Sequence, residues 1–226
     1  MKQGDASELL VYDFDSVLLA TDNFNVKNKL GQGRFAPFIT VKRLSSISGQ
    51  GIAEFKNEIL LISKLQHRNL VRLVGYCTEG EEKTIVYEYL LNKSLDAFLS
   101  DSTEKAKLHW AICFRIILEV TRGLLCLQCN SCPRVIHQVL RESNILLDEM
   151  MNPTISYFGL AQIFEGTQDL PYSGYMSPEY VMDGKFSEKS DVYSFGVLIV
   201  ELISINLSIG KLSSGLYLSK SLMNRP

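Results

Sequence analysis

Two stretches constrain this chain more than anything else in it. Residues 109–128 and Asp191–Leu202 are apolar nearly all round. A helix without a polar stripe belongs inside a protein, so each is expected to run through the centre of a lobe. The chain has 226 residues, 46% hydrophobic and 21% charged, enough for one sizeable core split over two lobes and unlike a disordered chain. With 15 Gly and 6 Pro it is not collagen-like or low-complexity. A net charge of −2 supplies no basic field, so no nucleic acid is expected as a partner. Five Cys, an odd and modest number, argue against a secreted disulfide scaffold and for a reducing, intracellular setting.

The start, Met1-Lys2-Gln3-Gly4-Asp5, lacks the apolar run of a signal peptide and has no Gly after Met1 for myristoylation. The run Val192 to Ile209 is interrupted by Glu201 and other polar residues, so it reads as a buried helix and no transmembrane segment is expected. Along the chain, Asp15–Ala20 is a short helical patch, and Lys29–Leu44 is strand-like with a Gly-rich turn. Ile52, Phe55, Ile59 and Ile62 recur at helical steps, predicting an amphipathic helix over Gly51–Gln66. Strands are predicted over Leu70–Cys77 and Thr84–Leu90, joined by a turn at Glu79-Gly80-Glu81-Glu82. Ser94 is placed to cap a short helix through Leu99. Ile145–Leu147 and Thr154–Ser156 flank Asn152-Pro153 as a hairpin, and Ser187 or Ser190 is a candidate cap for the 191–202 helix. The class is α+β with two lobes, and the cleft between lobes is the default ligand site.

Several residues there could carry chemistry. Gly31 and Gly33 fit either a plain turn or a loop that lets backbone approach phosphates. Lys42, on the strand that follows, is either a solvated edge lysine or a point cation for phosphate. Glu58, mid-helix, is either a solvated charge or the partner of Lys42. Three further runs follow in order: Val135-Ile136-His137-Gln138-Val139-Leu140-Arg141-Glu142-Ser143-Asn144, Ser156-Tyr157-Phe158-Gly159-Leu160, and Gly174-Tyr175-Met176-Ser177-Pro178-Glu179-Tyr180. Ser187-Glu188-Lys189-Ser190-Asp191-Val192-Tyr193-Ser194-Phe195-Gly196 closes the set.

In this order and spacing the elements jointly resemble the protein kinase fold over residues 24–203. Ala20-Thr21-Asp22-Asn23-Phe24, Leu65-Gln66-His67-Arg68-Asn69-Leu70-Val71 and Tyr89-Leu90-Leu91-Asn92-Lys93-Ser94-Leu95 are similar to plant receptor-like serine/threonine kinases, of the cysteine-rich and S-domain groups. The resemblance implies a bilobal fold with a β-rich N-lobe over 24–90 and a helical C-lobe over 91–203. Residues 1–23 would be a juxtamembrane-like leader and 204–226 an unrelated tail. It implies ATP beneath Leu30, Gly31 and Gly33, with Lys42 on the phosphates and paired to Glu58. Thr40 and Leu146 would face adenine, Tyr87 would be the gatekeeper, and Glu88, Tyr89 and Leu90 the hinge. Asn144 would hold magnesium, Arg141 would stand for the catalytic-loop lysine, and Asp191 would anchor that loop. Ile62, Leu73, His137 and Phe158 would form a column joining the lobes.

The departures from the family pattern bear on activity. Where the family has H-R-D, this chain has His137-Gln138-Val139, and valine cannot accept a proton. Where it has D-F-G, this chain has Tyr157-Phe158-Gly159, and a neutral phenol is a poor ligand for a hard cation. Losing a general base alone costs about 10²–10⁴-fold in rate. Gly31 to Lys42 spans 11 residues, where a turn, a strand, a turn and half a strand need roughly 13–16, and Pro37 resists a ladder position. A shortened N-lobe is therefore expected. Tyr172 replaces the threonine of the substrate-acceptor site, and Thr167, Tyr172 and Ser173 are ordinary loop residues or phosphorylation sites. After Leu202 the family resemblance fades, so a C-lobe truncated at its end is expected, with bare apolar surface on the 191–202 helix.

The expected function is that of a catalytically inactive receptor-like kinase relative, with ATP binding weak or lost, magnesium doubtful, and a related active kinase as partner. It would sit in the cytoplasm, or on the cytosolic face of the plasma membrane within a larger receptor. The alternative is an active serine/threonine kinase in which Glu142 or Asp148 replaces the lost base. Cys126, Cys129 and Cys132 have the spacing of part of an iron–sulfur run but lack a fourth ligand, and are read as structural thiols.

Overall fold

The computed structural model describes residues 9–25, 39–44, 49–131, 134–163 and 188–223, with side chains of the last helix described over 189–207. Gly31, Gly33, Leu30, Pro37, Thr167, Tyr172, Ser173, Glu179, Ser187 and Cys132 lie outside them, so the expected shortening of the N-lobe does too.

The first lobe is a four-stranded sheet in the order β1-β3-β4-β2, backed by one helix. Strand β2 (Ile39–Leu44) runs antiparallel to β4 (Glu82–Glu88), placing Thr40 opposite Tyr87 and Lys42 opposite Ile85. Strand β3 (Leu73–Glu79) turns into β4 through Gly80, whose φ of +55° suits a residue without a Cβ. The expected hairpin is there, two to three residues displaced at its outer ends.

Residues 10–20 are built into and against this sheet. Strand β1 (Leu10–Val11) pairs parallel with β3, and α1 (Phe14–Ala20) follows it. Asp13 caps α1, accepting the Ser16 amide at 2.7 Å. The close approach depends on Gly75, where a Cβ would collide with the Leu10 carbonyl and the Tyr12 ring.

Helix α2 (Gly49–Ile62) buries Phe55, Glu58, Leu61 and Ile62. It ends four residues before Gln66 because the chain tightens: Lys64 and Leu65 bond the carbonyls three residues back at 3.1 Å. Its buried face is rotated from the expected apolar stripe, leaving Ile52 exposed and Glu58 inside.

The second lobe begins with β5 (Asn92–Ser94), α3 (Leu95–Ser100) and α4 (Ser102–Lys105). Ser94 stands at the cap position of α3, but its hydroxyl bonds the Asp96 carboxylate and no helix amide, so the expected cap bond is not made. Helix α5 (Trp110–Leu125) runs into a π turn at Cys126–Asn130. Strands β6 (Val135–Ile136) and β9 (Gln162–Ile163) pair, as do β7 (Ile145–Leu147) and β8 (Pro153–Ile155), the latter forming the expected hairpin. Helix α6 spans Glu188–Met223, well past Leu202, and Ser190 lies inside it, so Ser190 is not its cap.

One apolar cluster joins the lobes, from Phe55 and Ile85 through Ile116 and Phe158 to Leu198 and Leu202. The two all-apolar stretches are buried on one face only. On α5, Cys113, Ile116 and Val120 are inside, whereas Trp110, Phe114, Leu118 and Leu125 are exposed. Composition marks α5 as apolar but cannot say how many of its faces the fold covers. The segment Lys189–Leu207 is long and apolar enough, by length and composition alone, to cross a membrane; here Asp191, Leu198 and Leu202 are fully buried in the lobe.

Candidate functional site

The site lies between β2, α2 and the loops around β7 and β8. Strand alternation points Lys42 toward α2, where its Nζ meets Glu58 Oε2 at 2.7 Å. The Glu58 side chain is 1% exposed and that of Lys42 30%, so the pair is largely shielded from screening by solvent. The second carboxylate oxygen, Oε1, accepts the Phe158 amide at 3.2 Å. One buried residue thus ties strand, helix and loop together.

Two further α2 residues strengthen this seam. Asn57 Nδ2 donates to the Phe158 carbonyl at 3.3 Å, to Gly159 at 3.0 Å and to Ala161. Glu54 Oε2 accepts the Tyr157 hydroxyl at 3.1 Å. Residues 54, 57 and 58 share one helix face by their spacing. The sequence reading missed Glu54 and Asn57; their spacing from Glu58 was the available signal, though not what they would touch a hundred residues away.

Tyr157 fills the heart of the site. Its ring lies 4.3 Å from Lys42 Nζ, a cation–π contact. Its backbone has a φ of +66°, uncommon for a bulky residue. Burial, and then the carboxylates of Glu54 and Glu58, push the phenol well above its usual range, so it is neutral at physiological pH.

Beneath it, the 137–144 loop is pinned from α6. Asp191 accepts the His137 and Gln138 amides, each at 2.8 Å. Burial pushes the Asp191 carboxyl upward, opposed by His137 and these amides. The His137 ring packs edge-on against Phe158 at 5.0 Å, and its Nε2 donates to the Ser156 carbonyl at 2.9 Å. Burial pushes the imidazole down, keeping it neutral. Ile62, Leu73, His137 and Phe158 are all buried.

Val139 is buried, and its carbonyl accepts Asn144 Nδ2 at 2.7 Å. Arg141 is exposed, with its charge felt at Tyr157. Gln138 is buried at a φ of +68°, and neither of its side-chain amide atoms has a partner among the described residues. Thr40, Tyr89, Leu90 and Leu146 are half-buried. Tyr87 is buried and its hydroxyl lacks a partner at hydrogen-bonding geometry; burial, with Glu58 nearby, pushes it well above the usual phenol range.

The candidate replacement bases point elsewhere. Asp148 accepts the Met150 and Asn152 amides at 2.9 and 2.8 Å and Asn152 Nδ2 at 2.9 Å, so its carboxylate closes its own turn. Glu142 lines a pocket of about 360 Å³ with Asp96, Val200 and Glu201. A cavity of about 1030 Å³ is lined by Leu65, His67, Asn69, Arg72 and Glu119 together with Glu88, Tyr89 and Leu90; its lining includes none of Lys42, Glu58, Asn144 or Tyr157. Burial raises the Cys126 thiol, Cys129 is exposed, and among the described residues no three His, Cys, Asp or Glu converge as metal ligands.

A half-buried lysine bonded to a buried glutamate, an amide-bearing Asn144 and a histidine loop anchored by a buried aspartate form one connected arrangement. A profile for protein tyrosine and serine/threonine kinases matches residues 24–211. The chain belongs to the protein kinase family. It is similar to plant proteins named as receptor-like serine/threonine kinases. It is 56% identical over 217 residues to a G-type lectin S-receptor-like serine/threonine-protein kinase of Arabidopsis thaliana, covering 88% of this chain and 26% of that protein. It is 53% identical to the family member B120 over 90% of this chain and 26% of B120, and 54% identical to SD1-29 over 88% and 27%, both of Arabidopsis thaliana. The chain thus spans about a quarter of the length of these curated relatives.

Proposed function

We propose that this kinase-family chain does not transfer phosphate and that its role is to bind other proteins, a related active kinase foremost, at the cytosolic face of a membrane or in the cytoplasm. The observation that carries the reading is Tyr157, seated on Lys42 and bonded to Glu54. Phosphoryl transfer needs a carboxylate to hold the metal against the phosphates and another to orient the acceptor hydroxyl. At the first position stands a neutral ring, and at the second the aliphatic Val139. Of the expected metal ligands only Asn144 remains, a single neutral amide oxygen whose nitrogen donates to the Val139 carbonyl. That donor set does not fit Mg²⁺, which prefers oxygen ligands in near-octahedral geometry. ATP has Lys42, Asn144, the gatekeeper Tyr87 and the hinge Glu88–Leu90 to meet it, at low affinity.

Thermal unfolding with ATP, with and without Mg²⁺, tests this, because a ligand that binds only the folded chain raises its Tm. The wild type is expected to show no Mg²⁺-dependent rise, and Tyr157→Asp to gain one. A Mg²⁺-dependent rise in the wild type overturns the reading.

A further inference from the structure

The cavity of about 1030 Å³ takes no part in the site above, and both lobes build it. One wall is the end of α2 and the chain leading into β3, from Ile62 to Leu73. The other is formed by the hinge end, by Glu119 of α5 and by the turn at Asp148 and Glu149. Hydrogen bonds hold these walls in place. Arg68 bridges to Glu119 at 3.0 Å, Asn69 Nδ2 donates to the Pro153 carbonyl at 3.1 Å, and Asn92 Nδ2 donates to the Asp148 carbonyl at 2.7 Å. A space fixed in this way is preformed, as ligand sites usually are.

The lining mixes two chemistries. Leu65, Leu73 and Leu90 offer apolar surface, and Leu91 beside them is 49% exposed. The carboxylates of Glu88, Glu119, Asp148 and Glu149 face only two guanidiniums, those of Arg68 and Arg72. Burial, and then Arg68, push His67 down, so the imidazole adds no charge at neutral pH. Arg68 answers Glu119, and Arg72 lies beside Glu88, whose amide donates to the Arg72 carbonyl at 3.1 Å. Asp148 and Glu149 are left in surplus, and among the described residues Glu149 forms no ion pair. Asn69 Oδ1 adds an acceptor without a partner.

We propose that this cavity docks an extended segment of a partner protein, one that carries a lysine or arginine flanked by apolar side chains. The proposal rests on the reading above that the chain acts by binding proteins; phosphate transfer by the chain would contradict only the inactivity stated there. Size favours a peptide over a metabolite, since about 1030 Å³ exceeds the ~300–1,000 Å³ of small-molecule sites. An extended segment points alternate side chains to opposite sides. Its apolar side chains settle on Leu65, Leu73 and Leu90, and the basic one between them reaches Asp148 and Glu149. The surplus of carboxylates turns away acidic segments and phosphate groups. Because Leu73 belongs to one lobe and Glu149 to the other, the bound segment also holds the lobes together.

Panning a random heptapeptide phage library on the full chain tests the proposal, with the enriched peptides synthesised and titrated by fluorescence anisotropy. Peptides with a basic residue between apolar ones are expected, with a Kd weakened by salt and a Tm that rises on binding. Glu149→Lys and Leu91→Ser, both at exposed positions, are each expected to raise that Kd about 10-fold. Circular dichroism melts identify a variant that misfolds, and the other then decides. Amide exchange of the wild type, which needs no variant, is expected to slow over 65–73 and 148–152 when peptide is bound. No enrichment, enrichment of acidic peptides, an affinity unchanged in either folded variant, or exchange unchanged over both segments overturns the proposal.

Discussion

Tyr157 is where a single residue changes most. In the sequence it is only an absent aspartate; in the fold it makes two contacts of its own, to Lys42 through the ring and to Glu54 through the hydroxyl. Tyr157→Phe keeps the first and removes the second, leaving the Glu54 carboxylate without that donor. A loss of about 0.5–1.5 kcal/mol in urea unfolding is expected. An unchanged midpoint would show that the hydroxyl contact contributes nothing. A second residue-scale effect concerns pH. Burial, and then Arg68, depress His67 below its unfolded value near 6.5. A depressed histidine leaves the unfolded state binding the proton first, so its contribution is lost as pH falls below about 6.5 toward the folded value. The burial-depressed His137 acts in the same direction, with Asp191 opposing it at lower pH. Stability is expected to drop between pH 7.5 and 5.5, with a shallower drop in His67→Gln; equal slopes in the two proteins would contradict the assignment.

Elements decide how the site is held. Helix α2 is stitched to the loop after β8 by Glu54, Asn57 and Glu58. Asn57→Ala removes the donor shared by three carbonyls and is expected to cost about 1–3 kcal/mol, read as a lower Tm. At the other side of the sheet, Gly75→Ala sets a methyl against the Leu10 carbonyl. Release of the leader is expected, seen as faster amide exchange over 9–20; unchanged exchange would mean that β1 tolerates the methyl. The spacing of Ile52, Phe55, Ile59 and Ile62 made α2 legible, and the order of the His137, Phe158 and Asp191 runs made the site legible. The α2 seam was not, because its partners lie about a hundred residues apart. Docking of the leader was not either, since a lone glycine in a strand does not say which backbone comes close.

For the whole molecule, the apolar runs at 109–128 and 191–202 correctly foretold helices contributing to a common core, but not that each would cover only one face. That difference follows from packing, because a helix is buried only where another element lies against it, and the described residues supply partners on one side. The kinase architecture therefore persists in the column of buried side chains and the Lys42–Glu58 pair, while Val139 and Tyr157 offer no carboxylate to a proton or a divalent ion. Transfer of label from γ-³²P-ATP to a generic protein substrate, with Mg²⁺ or Mn²⁺, tests that separation most directly. The account predicts no incorporation above that of Lys42→Met. Incorporation that requires Lys42 would contradict it.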